Sequence, residues 1–404
     1  MPPTTTLLSR ARDERVAPTF STIAAVSIAA LAVVGQLYAT LPLISSLAGE
    51  FGTSMGAATW ASTSFGFAYA VGMLVAGPLS DAVGRRRVAV GGLLASALAS
   101  LLVSVSPSFL VLLLTRLAQG AAAAFFAPVA LAYLTERIAP RQRSIALTTV
   151  ISAFLAAAIV APLTASALAA LGGWRTWFYV SAAGLVVLAA VVWQVLLPDI
   201  GTRAGRRSSH LVTGQLRSLP KLLGQPVLAG LYLAALSVMF TFVGITTLVQ
   251  LAGPGTADHS AVMQVVRAAT LPACVIVPLV TPLLGKVPAP RRLVPATALG
   301  VVGAILTGVA TGPVSVAIAL GVLTIAVAAT APALVETIGQ TSPPGQRGAA
   351  TALYGFALFV GASLGAPAAT AVADHTYLIG ATIFAGVAAL GGVSALLSSE
   401  ASKG

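Results

Sequence analysis

Long apolar stretches alternate with short polar breaks along the whole chain. The stretches fall at 19–45, 56–77, 86–106, 108–134, 145–171, 176–197, 226–251, 261–285, 293–311, 313–337, 348–372 and 376–398. A helix rising 1.5 Å per residue needs about 20 apolar residues to cross a hydrocarbon layer. The pattern therefore predicts twelve transmembrane helices. Spanning β-barrels are excluded, because their strands alternate in polarity over only about ten residues. The expected class is an all-α membrane protein.

Composition supports this and sets its limits. The chain has 404 residues, 57% hydrophobic and 8% charged, with a mean hydropathy of +0.97. A soluble domain carries about 25% charged residues. Arg10, Arg12, Asp13, Glu14 and Arg15 precede an apolar stretch too long for a signal-peptide core, so an uncleaved first helix is expected. Cys274 is the single cysteine and lies within an apolar stretch, with no partner for an internal disulfide and no metal-ligand companions.

The net charge of +12 would point to nucleic acid in a soluble protein. Here it reads as topology. With the N-terminus inside, the inner segments hold 19 of the 22 basic residues. Arg175 and Arg267 fall on the outer side, and Arg116 lies within a span. This matches the positive-inside rule and puts both termini in the cytoplasm.

The longest polar connection, 198–225, follows the sixth span. It divides the chain into a six-helix bundle at 1–197, a cytoplasmic linker, and a second six-helix bundle at 226–404. The linker carries a Ser208-Ser209-His210 run, and Leu216 to Leu223 has the make-up of a short helix lying on the membrane face. A shift of 204 residues lays Pro78, Leu79, Val83 and Arg87 on Pro282, Leu283, Val287 and Arg291. It also lays Pro140, Gln142 and Arg143 on Pro344, Gln346 and Arg347, and brings Pro162 close to Pro367. One offset near half the length argues for duplicated, pseudo-symmetric bundles.

Residues 77–87 read G-P-L-S-D-A-V-G-R-R-R between the second and third spans. They read as a tight charged turn, with glycines for the bend and arginines at the inner surface. Gly77, Leu79, Asp81, Gly84, Arg85 and Arg86 resemble the signature loop between helices two and three of the major facilitator superfamily of secondary transporters. In the second half Gly285 stands where Asp81 would be.

Arg116 is the charge best placed to matter. It sits about eight residues into the fourth span, where insertion scales charge ~2.5–3.5 kcal/mol, so it should face a wet cavity or a partner. The run Arg116, Gln119, Gly120 and Ala124 is similar to the fourth-helix motif of proton-driven facilitators, whose arginine faces the substrate cavity and is implicated in coupling. The resemblance also implies gating by the loop. Asp81 would pair with the start of the eleventh helix near Gly348, and Arg85 with Glu136. Antiporter relatives carry a glycine-rich stretch around a proline in the fifth helix. This chain keeps Pro162 but has Ala161 and Ala165 in place of glycines. Gly361, Gly365 and Pro367 in the eleventh span form a face for close helix packing.

Gln36, Tyr38, Phe154, Phe240 and Tyr354 are the candidate lining of a substrate cavity, because aromatic and amide groups suit amphipathic organic molecules. Tyr69, Phe242 and Phe359 also lie within spans. Arg267, near the outer end of the eighth span, either lines an outer vestibule or snorkels to the surface. None of the ten acids sits at the middle of a predicted helix, and Glu336 is the nearest to one.

No phosphate-cradling G-x-x-x-x-G-K-[ST], metal cluster or catalytic constellation stands out, so neither an enzyme nor a cofactor is expected. The resemblance, closest to the twelve-helix bacterial drug-efflux branch, implies the facilitator fold in a bacterial inner membrane. It further implies a monomer in membrane lipid whose partners are protons and a small amphipathic substrate, with no nucleic acid. The expected activity is proton-coupled export. Uptake by symport or uniport, and a sensor that kept the fold but lost transport, are the alternatives.

Overall fold

The computed structural model describes residues 17–198, 214, 217–255, 260–273, 276, 287–343, 346–373 and 375–401. The N-terminal basic cluster, most of the 198–225 linker, Cys274, Gly285 and nearly all of the eighth span beyond residue 273 lie outside those residues.

Helices account for nearly all of the described chain. In order they are α1 (Thr19–Tyr38), α2 (Ile44–Phe51), α3 (Trp60–Val83), α4 (Arg85–Ser104), α5 (Phe109–Ala123), α6 (Ala127–Arg137), α7 (Pro140–Gly172) and α8 (Trp174–Val195). There follow α9 (Pro226–Ala252), α10 (Ser260–Ala269), α11 (Ala289–Gly308), α12 (Pro313–Thr341), α13 (Arg347–Val372) and α14 (Tyr377–Ala401). Eleven spans among the described residues are long and apolar enough to cross a membrane. The eighth predicted stretch is represented by α10 and the residues just beyond it. Lipid leaves the backbone no external hydrogen-bond partner, which is why apolar stretches of this length become helices.

Prolines and a glycine set the breaks that hydropathy alone missed. The first span is interrupted after Tyr38 by a 3₁₀ turn at Leu41–Leu43, because Pro42 supplies no N–H to the preceding turn. The fourth span splits into α5 and α6 at residues 124–126, where Pro128 opens the new helix. The predicted turn at 77–87 is much tighter than expected. Helix α3 runs on through Gly77 and Asp81 to Val83, and only Gly84 separates it from α4. Gly84 has φ 113° and ψ 139°, a conformation that L side chains rarely adopt.

Helices pack in two groups. In the first, α1 lies on α7, α3 on α5, and α4 on α5 and α8. In the second, α9 lies on α13 and α14, and α11 on α12 and α14. Two details repeat between the groups. The Gly35 position of α1 lies against Ala161 of α7, 2.9 Å from an ideal Cβ to the Ala161 Cβ. In the second group Gly361 of α13 lies against the Leu236 carbonyl of α9, 2.1 Å from an ideal Cβ. Ala161 thus provides the close approach expected of the fifth span despite its missing glycines, and Gly361 does so for the eleventh. The second repeat is ionic. Arg85, at the start of α4, pairs with Glu136 near the end of α6, and Arg292, near the start of α11, pairs with Glu336 near the end of α12.

The groups touch chiefly through α3 and α13, with α7 and α10 in contact nearby. Thr63 Oγ1 donates to the Ser363 carbonyl at 2.7 Å, and the rings of Tyr69 and Phe359 meet at 4.4 Å. Large apolar side chains such as Leu98, Leu110 and Leu390 stand on the outside of the bundle, an arrangement suited to hydrocarbon and costly in water.

Candidate functional site

Three features stand apart from ordinary helix packing: a buried polar cluster around Arg116, a cleft shared by the two helix groups, and ion pairs at the end of the molecule that carries Gly84.

Arg116 is fully buried at the middle of α5. Its Nε donates to the Ala61 carbonyl at 2.9 Å, and Nη2 donates to the Gln36 carbonyl at 2.9 Å. Nη1 donates to Gln119 Oε1. Gln119 Nε2 then donates to Gln36 Oε1 at 3.0 Å and to Ser100 Oγ at 2.5 Å. The guanidinium also lies over the Phe65 ring, 4.5 Å from its centroid. Hydrogen bonds to a charged group contribute roughly 1.5–3 kcal/mol each, so three of them offset the cost of burying the charge. The arginine therefore clamps α5 to α1 and α3. It has found partners, as expected, but they are carbonyls and amides rather than a wet cavity.

Gly120 lies one residue beyond Gln119. An added Cβ would sit 2.1 Å from the Phe65 carbonyl oxygen. Only glycine lets α5 cross α3 closely enough for Arg116 to reach Ala61. Ser100 belongs to the cluster and the sequence reading missed it. Its only signal was a small polar residue inside an apolar span.

The cleft is lined from one side by Tyr38, Leu41 and Pro162, and from the other by Phe242, Arg267 and Thr324. Its volume is about 30 Å³, room for a water or two in this conformation. Arg267 is 7% exposed. Its Nη2 donates to Gln250 Oε1 at 2.5 Å, and Gln250 Nε2 donates to the Leu41 carbonyl at 3.0 Å. Tyr38 points its hydroxyl at Met239 Sδ, 4.0 Å away. Arg267 thus belongs to the cleft wall and does not snorkel.

Of the five candidate lining residues, Tyr38 alone lines this cleft. Gln36 is used up by Arg116 and Gln119. The Phe240 ring packs on Phe384 at 5.4 Å, and the Tyr354 hydroxyl donates to the Ala331 carbonyl at 3.3 Å. Phe154 is half-buried, packed against the core. Composition identified suitable side chains but not the helix faces they occupy.

At the Gly84 end, Arg85 binds Glu136 through Nε at 3.2 Å and Nη2 at 2.7 Å, and binds Asp81 at 2.6 Å. Arg85 Nη1 also donates to Ser80 Oγ at 2.6 Å. The Arg85–Glu136 pairing agrees with expectation. Asp81 turns to Arg85 in its own helix group rather than to the start of α13. Arg86 donates to the Trp193 carbonyl through Nε at 2.8 Å and lies over the Trp193 ring at 3.9 Å, tying the turn to the end of α8. Gly77 lies within α3 with open space where a Cβ would go, so it makes no close approach.

Paired helix groups around a shared interior cleft fit the family that the sequence comparison identifies. The chain belongs to the Major Facilitator Superfamily, whose model matches residues 26–366. It is 30% identical over 166 residues to the uncharacterized transporter YgaY of Escherichia coli O157:H7, covering 41% of this chain and 42% of that protein. It is 32% identical over 147 residues to the multidrug resistance protein B homolog of Mycobacterium tuberculosis (strain ATCC 25618 / H37Rv), covering 36% of this chain and 27% of that protein. The matched stretches thus span less than half the length of these relatives. In fold, the chain is similar to the crystal structure of the human organic anion transporter MFSD10 (TETRAN), with a TM-score of 0.69 at 16% identity, covering 94% of this chain and 99% of that one.

Proposed function

We propose that this transporter exports a small amphipathic organic compound by proton antiport with alternating access. The supporting observation is the cleft. Its walls come from both helix groups, Tyr38 and Pro162 on one side and Phe242 and Arg267 on the other. A site shared by two bodies is what rocking of one body against the other can expose to each side in turn. The bodies in this reading are residues 1–197 and 226–404, joined by the 198–225 linker, with both termini cytoplasmic in a bacterial inner membrane. The protein would act as a monomer. The partial likeness to a multidrug resistance protein homolog favours export over uptake.

Arg116, Gln119 and Gly120 act here through position. They hold the backbone of Gln36, two residues from the Tyr38 that lines the cleft. Arg85, Arg86, Asp81 and Glu136 would control closure at their end, with Gly84 as the joint. A proton moving inward down 100 mV supplies about 2.3 kcal/mol, enough for roughly a fiftyfold gradient.

A uniport reading has one observation in its favour. Among the described residues, the buried charged side chains are Arg116 and Arg267, and no carboxylate accompanies them. Uptake of fluorescent amphiphiles into everted vesicles tests both readings. With the potential clamped at zero, antiport predicts accumulation when the vesicle interior is acidified and its collapse when nigericin dissipates the pH gradient. No response to the pH gradient at zero potential, with accumulation only under an imposed potential, would replace antiport with uniport, and movement in the opposite direction would overturn export.

A further inference from the structure

Arg116 and Arg267 are both buried arginines, and their surroundings differ in a way that points to a ligand. Each guanidinium nitrogen of Arg116 is hydrogen-bonded within the protein. Arg267 has Nη2 on Gln250, while its Nη1 is buried without a hydrogen-bond partner among the described residues. Gln250 is itself anchored to the Leu41 carbonyl, so the guanidinium is held in place from across the interface. The side chain forms part of the wall of the cleft between the helix groups.

The described acids do not neutralise it. Glu50 is taken by Arg175, Asp81 and Glu136 by Arg85, and Glu336 by Arg292, while Glu400 stands exposed in the last turn of α14. A positive charge with spare donor capacity at a cleft wall is a poor neighbour for a cation and a good one for an anion. Arginine matches a carboxylate or a phosphonate, whose oxygens accept charge-assisted hydrogen bonds from its planar fork. The remaining walls are mostly aromatic and aliphatic, with Tyr38, Pro162, Phe242 and Leu320, and the threonines among them, Thr246, Thr270 and Thr324, donate their hydroxyls to backbone carbonyls.

From this geometry we infer that the transported compound is an organic anion, its acidic group held by Arg267 and its apolar body set against Tyr38 and Phe242. The inference rests on the transporter reading and narrows its substrate class. It also bears on energetics. An anion leaving a cell that is negative inside moves down the electrical potential, about fiftyfold in concentration ratio per 100 mV for one charge. That no carboxylate is buried among the described residues is then no obstacle, because export of such a substrate gains from the potential even before a proton is exchanged.

The test uses 2-naphthoate and its uncharged counterpart 2-naphthamide as probes of full-length protein, with equilibrium binding measured by titration calorimetry. Wild type should bind the naphthoate at least tenfold more tightly than the amide. Arg267→Gln should bring the two within about twofold, while Arg267→Lys should keep a reduced preference for the acid. Equal binding of both probes by wild type, binding of neither, or a naphthoate preference that persists in Arg267→Gln would each overturn the inference. Should Arg267→Gln fail to fold, Arg267→Lys carries the test: a naphthoate preference reduced from that of wild type would support the site, and an unchanged preference and affinity would overturn it. Flux in proteoliposomes separates this inference from the one it rests on. A naphthoate preference lost in Arg267→Gln, but with no flux of any compound, keeps the anion site and removes the transporter reading. Flux of neutral amphiphiles with no preference for the acid keeps the transporter reading and removes the anion site.

Discussion

At the scale of single residues, two buried arginines have different roles because their hydrogen-bond partners differ. Arg116 is a structural clamp whose geometry depends on Gly120. Its replacement by alanine removes three hydrogen bonds that tie α5 to α1, to α3 and to Gln119. The variant is expected to insert normally, since the substitution makes the span more apolar. Transport should drop at least tenfold, because Gln36 and the cleft residue Tyr38 lose their fixed position. Wild-type flux from Arg116→Ala, measured in vesicles with matched protein levels, would rule out the clamp as a requirement. The motif Arg116-x-x-Gln119-Gly120 was legible in the sequence, and so was the need for a buried partner. The identity of that partner was not.

Among the elements, the turn between α3 and α4 separates two glycines that look alike in sequence. Gly84 has a positive φ and is the whole of the turn. Gly77 is an ordinary helical position with open space beside it. Their alanine variants should therefore move stability in opposite directions. Gly84→Ala should destabilise by about 1–3 kcal/mol, the cost of holding a side chain in a glycine-only region. Gly77→Ala should stabilise by about 0.5–1 kcal/mol, since alanine is the better helix former. Thermal unfolding in one detergent reads both, and equal shifts would mean that the turn is not built on Gly84. Asp81 and Glu136 are exposed and Arg85 only partly buried, so each pair adds only about 1 kcal/mol or less, and their value lies in geometry more than in stability.

For the whole molecule, the question is whether the two helix groups move against each other. They meet closely where α3 runs along α13. In the short helix Met55–Ala58 just before α3, a Cβ at Gly56 would lie 3.7 Å from Thr370 Oγ1 of α13, at the end of the molecule opposite Gly84. Cysteines at 56 and 370, in a chain whose one native cysteine is replaced (Cys274→Ser), fall within reach of a disulfide. Oxidation should stop transport and reduction should restore it. Full flux through the oxidised protein would refute rocking about this contact.

The chain alone determined that this is a helical membrane protein of the facilitator kind. Lipid forces apolar stretches into helices, and prolines, glycines and arginines mark their ends through local chemistry that is written in neighbouring residues. Pairings across the bundle are of another kind. Gln36, Ser100 and Arg116 meet only because three helices cross at one depth, and Glu336 finds Arg292 on a neighbouring helix rather than serving in a span's interior. Hydropathy is nearly uniform around these helices, so no periodic signal says which face turns inward. Only the packed structure decided that Tyr38 and Arg267, from opposite halves of the chain, line the same cleft.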